Sequence, residues 1–217
     1  MSLWTTEYGT LWAWETGNGL PPLCAARTEA VFAEVDDEDI DDLAVAMNLP
    51  GPQLIQQRLR ERRRRCFCLK VEGQNADPAI ATYGWVTQGV ECVGELEREF
   101  HIRDNEAYIW DCGTILAWRG QGFYSALLSH LIYQLHDEGV ARIWIGASRL
   151  NQPSIRGFVN AGFQPVVDCT YHRFYRFSLL WVQQGRSSQN ALVPAAYRIL
   201  LNEHERRWGQ LIVGFKS

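Results

Sequence analysis

The sequence has 217 residues, of which 47% are hydrophobic and 21% are charged, a composition typical of a folded chain and not of a disordered one. Its 21 basic and 25 acidic residues give a net charge of -4, so the chain has no overall cationic field to hold nucleic acid or anionic lipid. We therefore expect neither a nucleic-acid nor a membrane partner. The arginine-rich run at 60–65 is interpreted as the solvated end of a helix, with an anion-binding patch as the alternative.

The cysteines and the apolar runs bear on compartment and metal content. The six cysteines are Cys24, Cys66, Cys68, Cys92, Cys112 and Cys169. They form no Cys-x-x-Cys pair and have no neighbouring histidine pattern typical of zinc, so no metal site is predicted. No signal peptide is recognised, and no apolar run approaches the roughly 20 residues that a membrane helix needs. A reduced, cytoplasmic protein is predicted.

Three regions are predicted: an N-terminal arm at 1–22, a central domain at 23–182 and a C-terminal extension at 183–217. The arm is rich in Trp, Thr and Gly and ends at two prolines. Exposed tryptophans are unfavourable in water, so the alternative is that the arm docks on the domain or on a second subunit of a homodimer. The extension contains a helix-like stretch at 195–204, which we expect to cover a cleft or a subunit interface.

The first half of the central domain shows strand patterns separated by two helical ones. A strand is predicted at 25–35, and acidic residues at 36–39 begin an amphipathic helix that continues to Met47. A second helix follows the Pro-Gly-Pro break at 50–52. Two strands are then predicted at 66–71 and 79–87, joined by a turn-forming string, and 90–103 is interpreted as irregular.

The second half begins with a strand at 107–115, whose even positions share one face. Apolar residues then recur every four positions from Phe123 to Leu135, which predicts a helix at 121–139 that ends at a glycine. A strand at 142–147, a short helix ending near 159, and strands at 163–167 and 171–182 around a turn at 168–170 complete the domain. This order predicts an α/β fold.

Residues 118–125 read Trp-Arg-Gly-Gln-Gly-Phe-Tyr-Ser and stand between a predicted strand and a predicted helix. Glycines let a backbone approach a ligand closely, and the free amides of a first helical turn present the positive end of the helix dipole. The segment therefore predicts an anion-binding turn of the kind that holds phosphates. A plain tight turn between strand and helix is the alternative, and the two glycines alone fit it equally well.

Two motifs in this region resemble those of the GNAT superfamily of acyl-CoA-dependent N-acyltransferases. One is Arg or Gln, two free positions, Gly, one free position, then Gly or Ala, and here Arg119, Gly122 and Tyr124 occupy those places. The other is Asn, a small residue three positions later and an aromatic seven positions later, closed by Gly-Phe. Asn151, Ser154 and Phe158 match it, with Gly-Phe at 162–163. The paired motifs, at the family's usual separation, carry a resemblance that covers 28–182.

The resemblance implies a GNAT-like α/β fold, with a mixed, mostly antiparallel central sheet flanked by helices, extended at both ends. It also implies that acetyl-CoA is the cosubstrate. Backbone amides at 120–125 would hold its pyrophosphate, and the strand end at 112–114 would pair with pantetheine. Asn151, Ser154 and Phe158 would border the opposite wall. The residues implied are Cys112, Gly113, Thr114, Arg119, Gly120, Gln121, Gly122, Phe123, Tyr124, Ser125, Asn151, Ser154 and Phe158.

Two departures from the family pattern affect the site. Tyr124 stands where the family has Gly or Ala, so its ring is expected either to stack on the cosubstrate or to crowd it. Phe158 stands where many members have a tyrosine that protonates the leaving thiolate, and a phenyl ring cannot donate a proton. Tyr171 is the first choice as a substitute donor.

The reaction also needs a group that takes a proton from the substrate ammonium. By the two-residue period of a strand, Glu106 shares the face of Cys112, whereas Asp111 points the other way unless a bulge intervenes. Glu106 is therefore the predicted base, with a solvated strand-end carboxylate as the alternative. If Glu106 is not the base, the alternatives are Asp111, Glu99 or a substrate that arrives deprotonated.

These observations favour an N-acetyltransferase that moves an acetyl group from acetyl-CoA to a primary amine of a small molecule or peptide, by direct attack on the thioester. The alternative from another class is a catalytically weak coenzyme A-binding protein with a regulatory or structural role. The variable loops that shape acceptor pockets do not identify the amine.

Overall fold

The computed structural model describes residues 4–61, 63–72, 78–94, 96, 98–174, 177–184, 190–201 and 205–215. The strands are β1 (Trp4–Glu15), β2 (Val31–Glu34), β3 (Arg64–Glu72), β4 (Pro78–Thr87), β5 (Val90–Val93), β6 (Arg98–His101), β7 (Glu106–Thr114), β8 (Arg142–Ser148), β9 (Gln164–Phe174), β10 (Phe177–Gln184), β11 (Arg206–Trp208) and β12 (Leu211–Phe215). The α-helices are α1 (Ile40–Ala46), α2 (Gln53–Arg60), α3 (Phe123–Asp137), α4 (Gln152–Asn160) and α5 (Val193–Leu200).

Ten strands form one sheet in the order β11-β12-β10-β9-β1-β8-β7-β4-β3-β2, while β5 and β6 form a separate hairpin. Neighbouring strands of the large sheet are antiparallel, with the exception of β7 and β8, which are parallel. The predicted α/β fold, with a mostly antiparallel sheet flanked by helices, is confirmed. No helix within the described ranges is long and apolar enough to cross a membrane.

Strand β1 lies in the middle of this sheet, hydrogen-bonded to β8 on one side and to β9 on the other. Its alternating side chains enter two different cores, because Trp12 and Trp14 pack on one face of the sheet and Leu11 and Ala13 pack on the other. Residues 4–15 are thus an integral strand, which corrects the prediction of an N-terminal arm. The domain itself buries Trp12 and Trp14, two of the tryptophans that made an exposed arm unfavourable.

Three further element predictions are corrected. The strand predicted at 25–35 is confined to Val31–Glu34, and the segment interpreted as irregular at 90–103 contains the β5–β6 hairpin. The turn predicted at 168–170 lies inside the continuous strand β9, because residues 168–170 pair with β1 on one side and with β10 on the other. Double pairing keeps this backbone extended despite its polar sequence.

Helices cover both faces of the sheet. The predicted apolar repeat of α3 is confirmed, since its side chains from Phe123 to Leu135 are buried together with those of α4 in the core that contains Trp14. Helix α5 lies on the opposite face and buries Ala196, Ile199 and Leu200 in the core that contains Leu11. The segment predicted as a C-terminal extension therefore supplies strands β11 and β12 of the sheet and the core helix α5.

Candidate active site

The candidate site begins where strands β7 and β8 separate. They are paired only from Glu106–Arg142 to Ile109–Ile145, and beyond these residues the two strands diverge. An open cavity of about 620 Å³ lies at this point and is bordered by both strands, by β1 and by the first turn of α4. Backbone groups of 110–114 on the β8 side consequently have no strand partner among the described residues, and the side chains of Cys112 and Arg119 donate to the carbonyls of Trp110 and Thr114.

A bulge in β7 turns Asp111 into this cavity. Tyr83 pairs with Gly113 and Trp85 pairs with Trp110, so two residues of β7 stand opposite the single Gly84. Asp111 accordingly has a φ of 42°, in the left-handed region. The bulge that the sequence analysis gave as an alternative is therefore present, and Asp111 lines the cavity.

Arg58 of α2 holds the Asp111 carboxylate and is itself held by aromatic rings. Its Nη1 donates to Asp111 Oδ2 at 2.5 Å. Its guanidinium carbon lies 5.1 Å from the ring centroid of Trp85 and 4.7 Å from that of Trp110. Cation–π contacts of this kind orient a guanidinium at an apolar wall. Asp111 and Arg58 therefore form a fixed charged pair at one end of the cavity.

The glycine turn leads into α3 as predicted. Gly120 and Gly122 have φ values of 73° and 86°, which non-glycine residues rarely adopt, and Gly122 is the N-cap residue without a side-chain cap. The carbonyl of Gln121 accepts a hydrogen bond from the amide of Arg27 at 2.9 Å, and Arg119 Nε donates to the carbonyl of Thr114 at 3.0 Å. These contacts brace the turn and leave the first-turn amides of α3 uncapped by any side chain.

The first turn of α4 forms the opposite wall of the cavity. Asn151 caps this helix, since its Oδ1 accepts a hydrogen bond from the amide of Ser154 at 3.2 Å. Phe158, one turn later, is 1% exposed and packs edge-to-face on Trp12. Both predicted motifs thus meet at one cavity. The predicted cosubstrate residues that line it are Cys112, Tyr124, Asn151, Ser154 and Phe158.

The other predicted cosubstrate residues lie on the end of β7, on the turn that follows it and in the first turn of α3. Phe123 differs from them because its side chain is 1% exposed and packs on Trp118 in the core, so that only its backbone is available to a ligand. The rest of this group are Gly113, Thr114, Arg119, Gly120, Gln121, Gly122 and Ser125.

Tyr124 neither projects from the turn nor blocks the cavity. Its ring lies against α4, where a Cβ on Gly157 would stand 2.5 Å from Tyr124 Cδ1. The side chains of Cys112 and Ser154 lie near its hydroxyl. Burial, reinforced by the nearby Cys112, raises the pKa of Tyr124 well above its ordinary value, and burial also raises the pKa of Cys112 to about 12. Both groups are therefore protonated at neutral pH.

The two residues predicted to be catalytic lie outside the cavity lining. Glu106 is 2% exposed and accepts hydrogen bonds from Arg142 and Arg198, so its carboxylate is fully engaged by two cations. Tyr171 is 3% exposed in the core beneath α5, with the guanidinium of Arg98 5.9 Å from its ring. Their catalytic roles therefore stay predictions, and neither is among the described residues that line the cavity: strand period places Glu106 on one face of β7 but does not reveal its partners.

Sequence reasoning missed several residues that line the cavity. Glu7 and Tyr8 of β1 and Glu91 of the hairpin line it, together with Leu200 of α5. All of them come from segments that were predicted to be an arm, an irregular stretch or an extension. Among the described residues, no group of three or more His, Cys, Asp or Glu is placed to hold a metal ion.

Comparisons with known proteins agree with this geometry. A model of the acetyltransferase (GNAT) family matches residues 32–163, more than half of the chain. A comparison with curated proteins found no match.

Three solved structures share the fold. A GCN5-related N-acetyltransferase from Sphaerobacter thermophilus has a TM-score of 0.54 at 16% identity, over 77% of this chain and 51% of that one. GNAT-family acetyltransferases from Colwellia psychrerythraea and Novosphingobium aromaticivorans have TM-scores of 0.52 and 0.51 at 13% and 12% identity, each over 83% of this chain. This chain spans 57% and 66% of their respective lengths. On the strength of the family match, the chain belongs to the acetyltransferase (GNAT) family.

Proposed function

We propose that this protein transfers an acetyl group from acetyl-CoA to a primary amine of a small molecule or peptide. The observation that carries the proposal is the separation of β7 from β8 at a cavity bordered by both family motifs. A thioester that enters along the open strand edge reaches Asp111 at the far end of the cavity. An amine bound there is placed for direct attack on the carbonyl.

The residues present suit coenzyme A. Uncapped amides at the start of α3, with two positive-φ glycines before them, match the charge and shape of a pyrophosphate. The unpaired edge of β7 at 112–114 offers backbone donors and acceptors to the amides of pantetheine. Arg119 braces the turn through Thr114, so its proposed role is to shape the phosphate site.

Charge at the other end of the cavity favours a cationic acceptor. Among the described lining residues are three carboxylates, Glu7, Glu91 and Asp111, and one guanidinium, Arg58. Glu91 is neutralised by Arg64, which donates to both of its oxygens at 2.8 Å. Asp111 is paired with Arg58, so Glu7 is the lining carboxylate that adds net negative charge, and this charge attracts an ammonium group. We assign Asp111 the role of holding the acceptor nitrogen near the thioester.

The chemistry proceeds once the acceptor has lost a proton to water or to a base. The amine lone pair forms the new C–N bond, the C–S bond breaks, and its electron pair goes to sulfur. The leaving sulfur then takes up one proton, which balances the proton lost by the amine. Holding both reactants in one cavity lowers the entropic part of the barrier.

Release of free thiol from acetyl-CoA, measured with a panel of polyamines, amino sugars and lysine peptides, tests the proposal. We expect thiol release that depends on one class of amine and yields the N-acetyl product by mass spectrometry. Binding of acetyl-CoA with no amine-dependent release by the wild type would overturn the proposal. It would favour instead a regulatory coenzyme A-binding protein.

A further inference from the structure

The candidate cavity borders both faces of the sheet. On the face covered by α3 and α4, its lining includes Phe158 and Ile145, which belong to the core that contains Trp12. On the face covered by α5, its lining includes Tyr108, which belongs to the core that contains Leu11. A ligand in the gap between β7 and β8 therefore has a different set of neighbours on each face.

Both family motifs reach the cavity from the face that α3 and α4 cover. Tyr124 packs against the core of that face, and Phe158 belongs to it. Under the proposed function the thioester therefore occupies this side of the gap, and the acceptor occupies the side that α5 covers. The side chains on the α5 side then determine which amines fit.

The α5 side of the cavity offers an apolar surface. Where its lining belongs to the α5 core or packs against it, the described residues are aliphatic or aromatic, apart from one cysteine. Each methylene buried against such a surface strengthens binding about fourfold. The residues of this lining include Leu11, Val93, Leu96, Phe100, Tyr108 and Leu200.

Two of the carboxylates that line the cavity are already paired. Glu91 is 2% exposed, and Arg64 donates to its two oxygens at 2.8 Å each. Asp111 accepts a hydrogen bond from Arg58 through Oδ2, while its Oδ1 accepts none within the described ranges. Asp111 can therefore receive one ammonium group, whereas both oxygens of Glu91 are engaged by a cation.

The third carboxylate of this lining, that of Glu7, is exposed to solvent. Glu7 stands opposite Tyr171 of β9, a member of the α5 core, so its side chain lies on the α5 face. There it attracts an incoming ammonium group from solvent. A second ammonium group or several hydroxyls placed against the apolar surface would lose water without gaining a partner, which is unfavourable.

We propose that the acceptor is a primary monoamine with an aromatic or branched aliphatic arm. The inference rests on the proposed function and narrows its substrate class. The nitrogen lies at Asp111, and the apolar arm lies among the side chains of the α5 side. Bond making and breaking are those of the proposed function: the C–N bond forms, the C–S bond breaks, and sulfur takes up one proton for the one that the amine has lost.

Amine-dependent thiol release tests the class of acceptor. 2-Phenylethylamine and 3-methylbutylamine are compared with 1,4-diaminobutane, glucosamine and a lysine peptide. We expect kcat/KM to be about tenfold or more higher for the two apolar amines, since each buries several methylene equivalents. An equal or higher kcat/KM for any of the other three would overturn the inference and leave the proposed function in place. Absence of release with every amine would overturn the proposed function instead.

A matched pair of variants tests where the apolar arm lies. Val93→Thr keeps the branched shape at the cavity but adds a hydroxyl, and Val45→Thr makes the same change on α1, where the side chain is 78% exposed. Calorimetry with saturating coenzyme A measures the Kd of 2-phenylethylamine, which should rise about fivefold in Val93→Thr and stay unchanged in Val45→Thr.

The affinity for acetyl-CoA shows whether the cavity of each variant is intact. Because the substituted hydroxyl lies on the α5 side, the Kd of acetyl-CoA should be unchanged in Val93→Thr and in Val45→Thr. An unchanged Kd of 2-phenylethylamine in Val93→Thr would place the arm elsewhere and overturn the inference. So would an equal rise in both variants.

Discussion

Arg198 Nη2 lies 2.6 and 2.7 Å from the two carboxylate oxygens of Glu106, and this contact ties helix α5 to strand β7. Arg142 of β8 donates to the same carboxylate at 2.8 Å and also to Glu15 of β1. Two guanidiniums and two carboxylates thus form a network that joins four elements. Glu106 thus belongs to a network that supports the sheet, and its position on β7 does not reveal these partners.

Glu106→Gln should therefore destabilise the fold instead of slowing the chemistry. The substitution leaves two guanidiniums without their shared carboxylate, so we expect the free energy of unfolding in urea to fall by about 2–4 kcal/mol. Glu99→Gln is the control, since Glu99 is 63% exposed and its loss should cost less than about 0.5 kcal/mol. A hundredfold loss of turnover at neutral pH that shrinks at high pH would restore Glu106 as the base.

Gly120→Ala should weaken acetyl-CoA binding beyond its effect on stability. A Cβ at Gly120 meets nothing within 4 Å, and the same holds at Gly139, which ends α3 away from the cavity with a φ of 86°. Both substitutions should cost about 1–2 kcal/mol through the left-handed backbone. Acetyl-CoA should raise the Tm of the wild type and of Gly139→Ala, but raise that of Gly120→Ala much less. Equal shifts in all three proteins would remove Gly120 from the cosubstrate site.

The effect of Gly157→Ala on the free energy of unfolding should change sign when the Tyr124 ring is removed. In the wild type the new Cβ strikes the Tyr124 ring, so we expect a loss of about 1–3 kcal/mol in the free energy of unfolding. In a Tyr124→Ala background the ring is absent, and Gly157→Ala should instead stabilise helix α4 by up to about 1 kcal/mol. A double-mutant cycle measured by denaturation gives the coupling. Additive effects would show that the two residues do not share this space.

Asp111→Asn should impair the acceptor and spare the cosubstrate. The neutral amide no longer attracts an ammonium group, so the KM for the amine should rise about tenfold at neutral pH, with the KM for acetyl-CoA unchanged. Asp104→Asn, an exposed change in the loop before β7, is the control and should behave as wild type. An unchanged amine KM in Asp111→Asn would transfer the role to Glu7.

His130 should make stability depend on pH. It stacks on Phe32 with ring centroids 5.0 Å apart, and burial lowers its pKa below the ordinary 6.5. As the pH falls through about 6.5, the unfolded chain takes up the proton first, so the free energy of unfolding falls until the folded pKa is reached. His130→Phe keeps the stacked ring and should lose this part of the decline between pH 7 and 5. Parallel pH curves for the two proteins would contradict the assignment.

The elements that carry the family motifs could be predicted because their signals are local. The four-residue apolar repeat and the closing glycine determine α3, and Asn151 with its following proline determines the start of α4. Cavity residues such as Cys112 and Phe158 follow from motif position. None of these predictions needed a long-range contact.

What the sequence does not reveal about Glu106 and Asp111 concerns long-range partners. Nothing near Glu106 in sequence reveals Arg142 or Arg198, and the bulge at Asp111 depends on its register against Gly84. Strand β1 did leave a signal, because the consecutive apolar residues at 11–14 are typical of a strand buried on both faces.

The place of β1 also bears on how the chain acquires its structure during synthesis. Glu15 contacts Arg142, 127 positions later, and β9 follows β8, so β1 is made long before either neighbour exists. Such distant pairings are slow to form, and an unpaired strand rich in aromatic residues is prone to aggregate. A nascent chain that ends before β9 lacks one of the two strands that bury this segment. Binding of β1 by a chaperone on the ribosome would relieve that exposure.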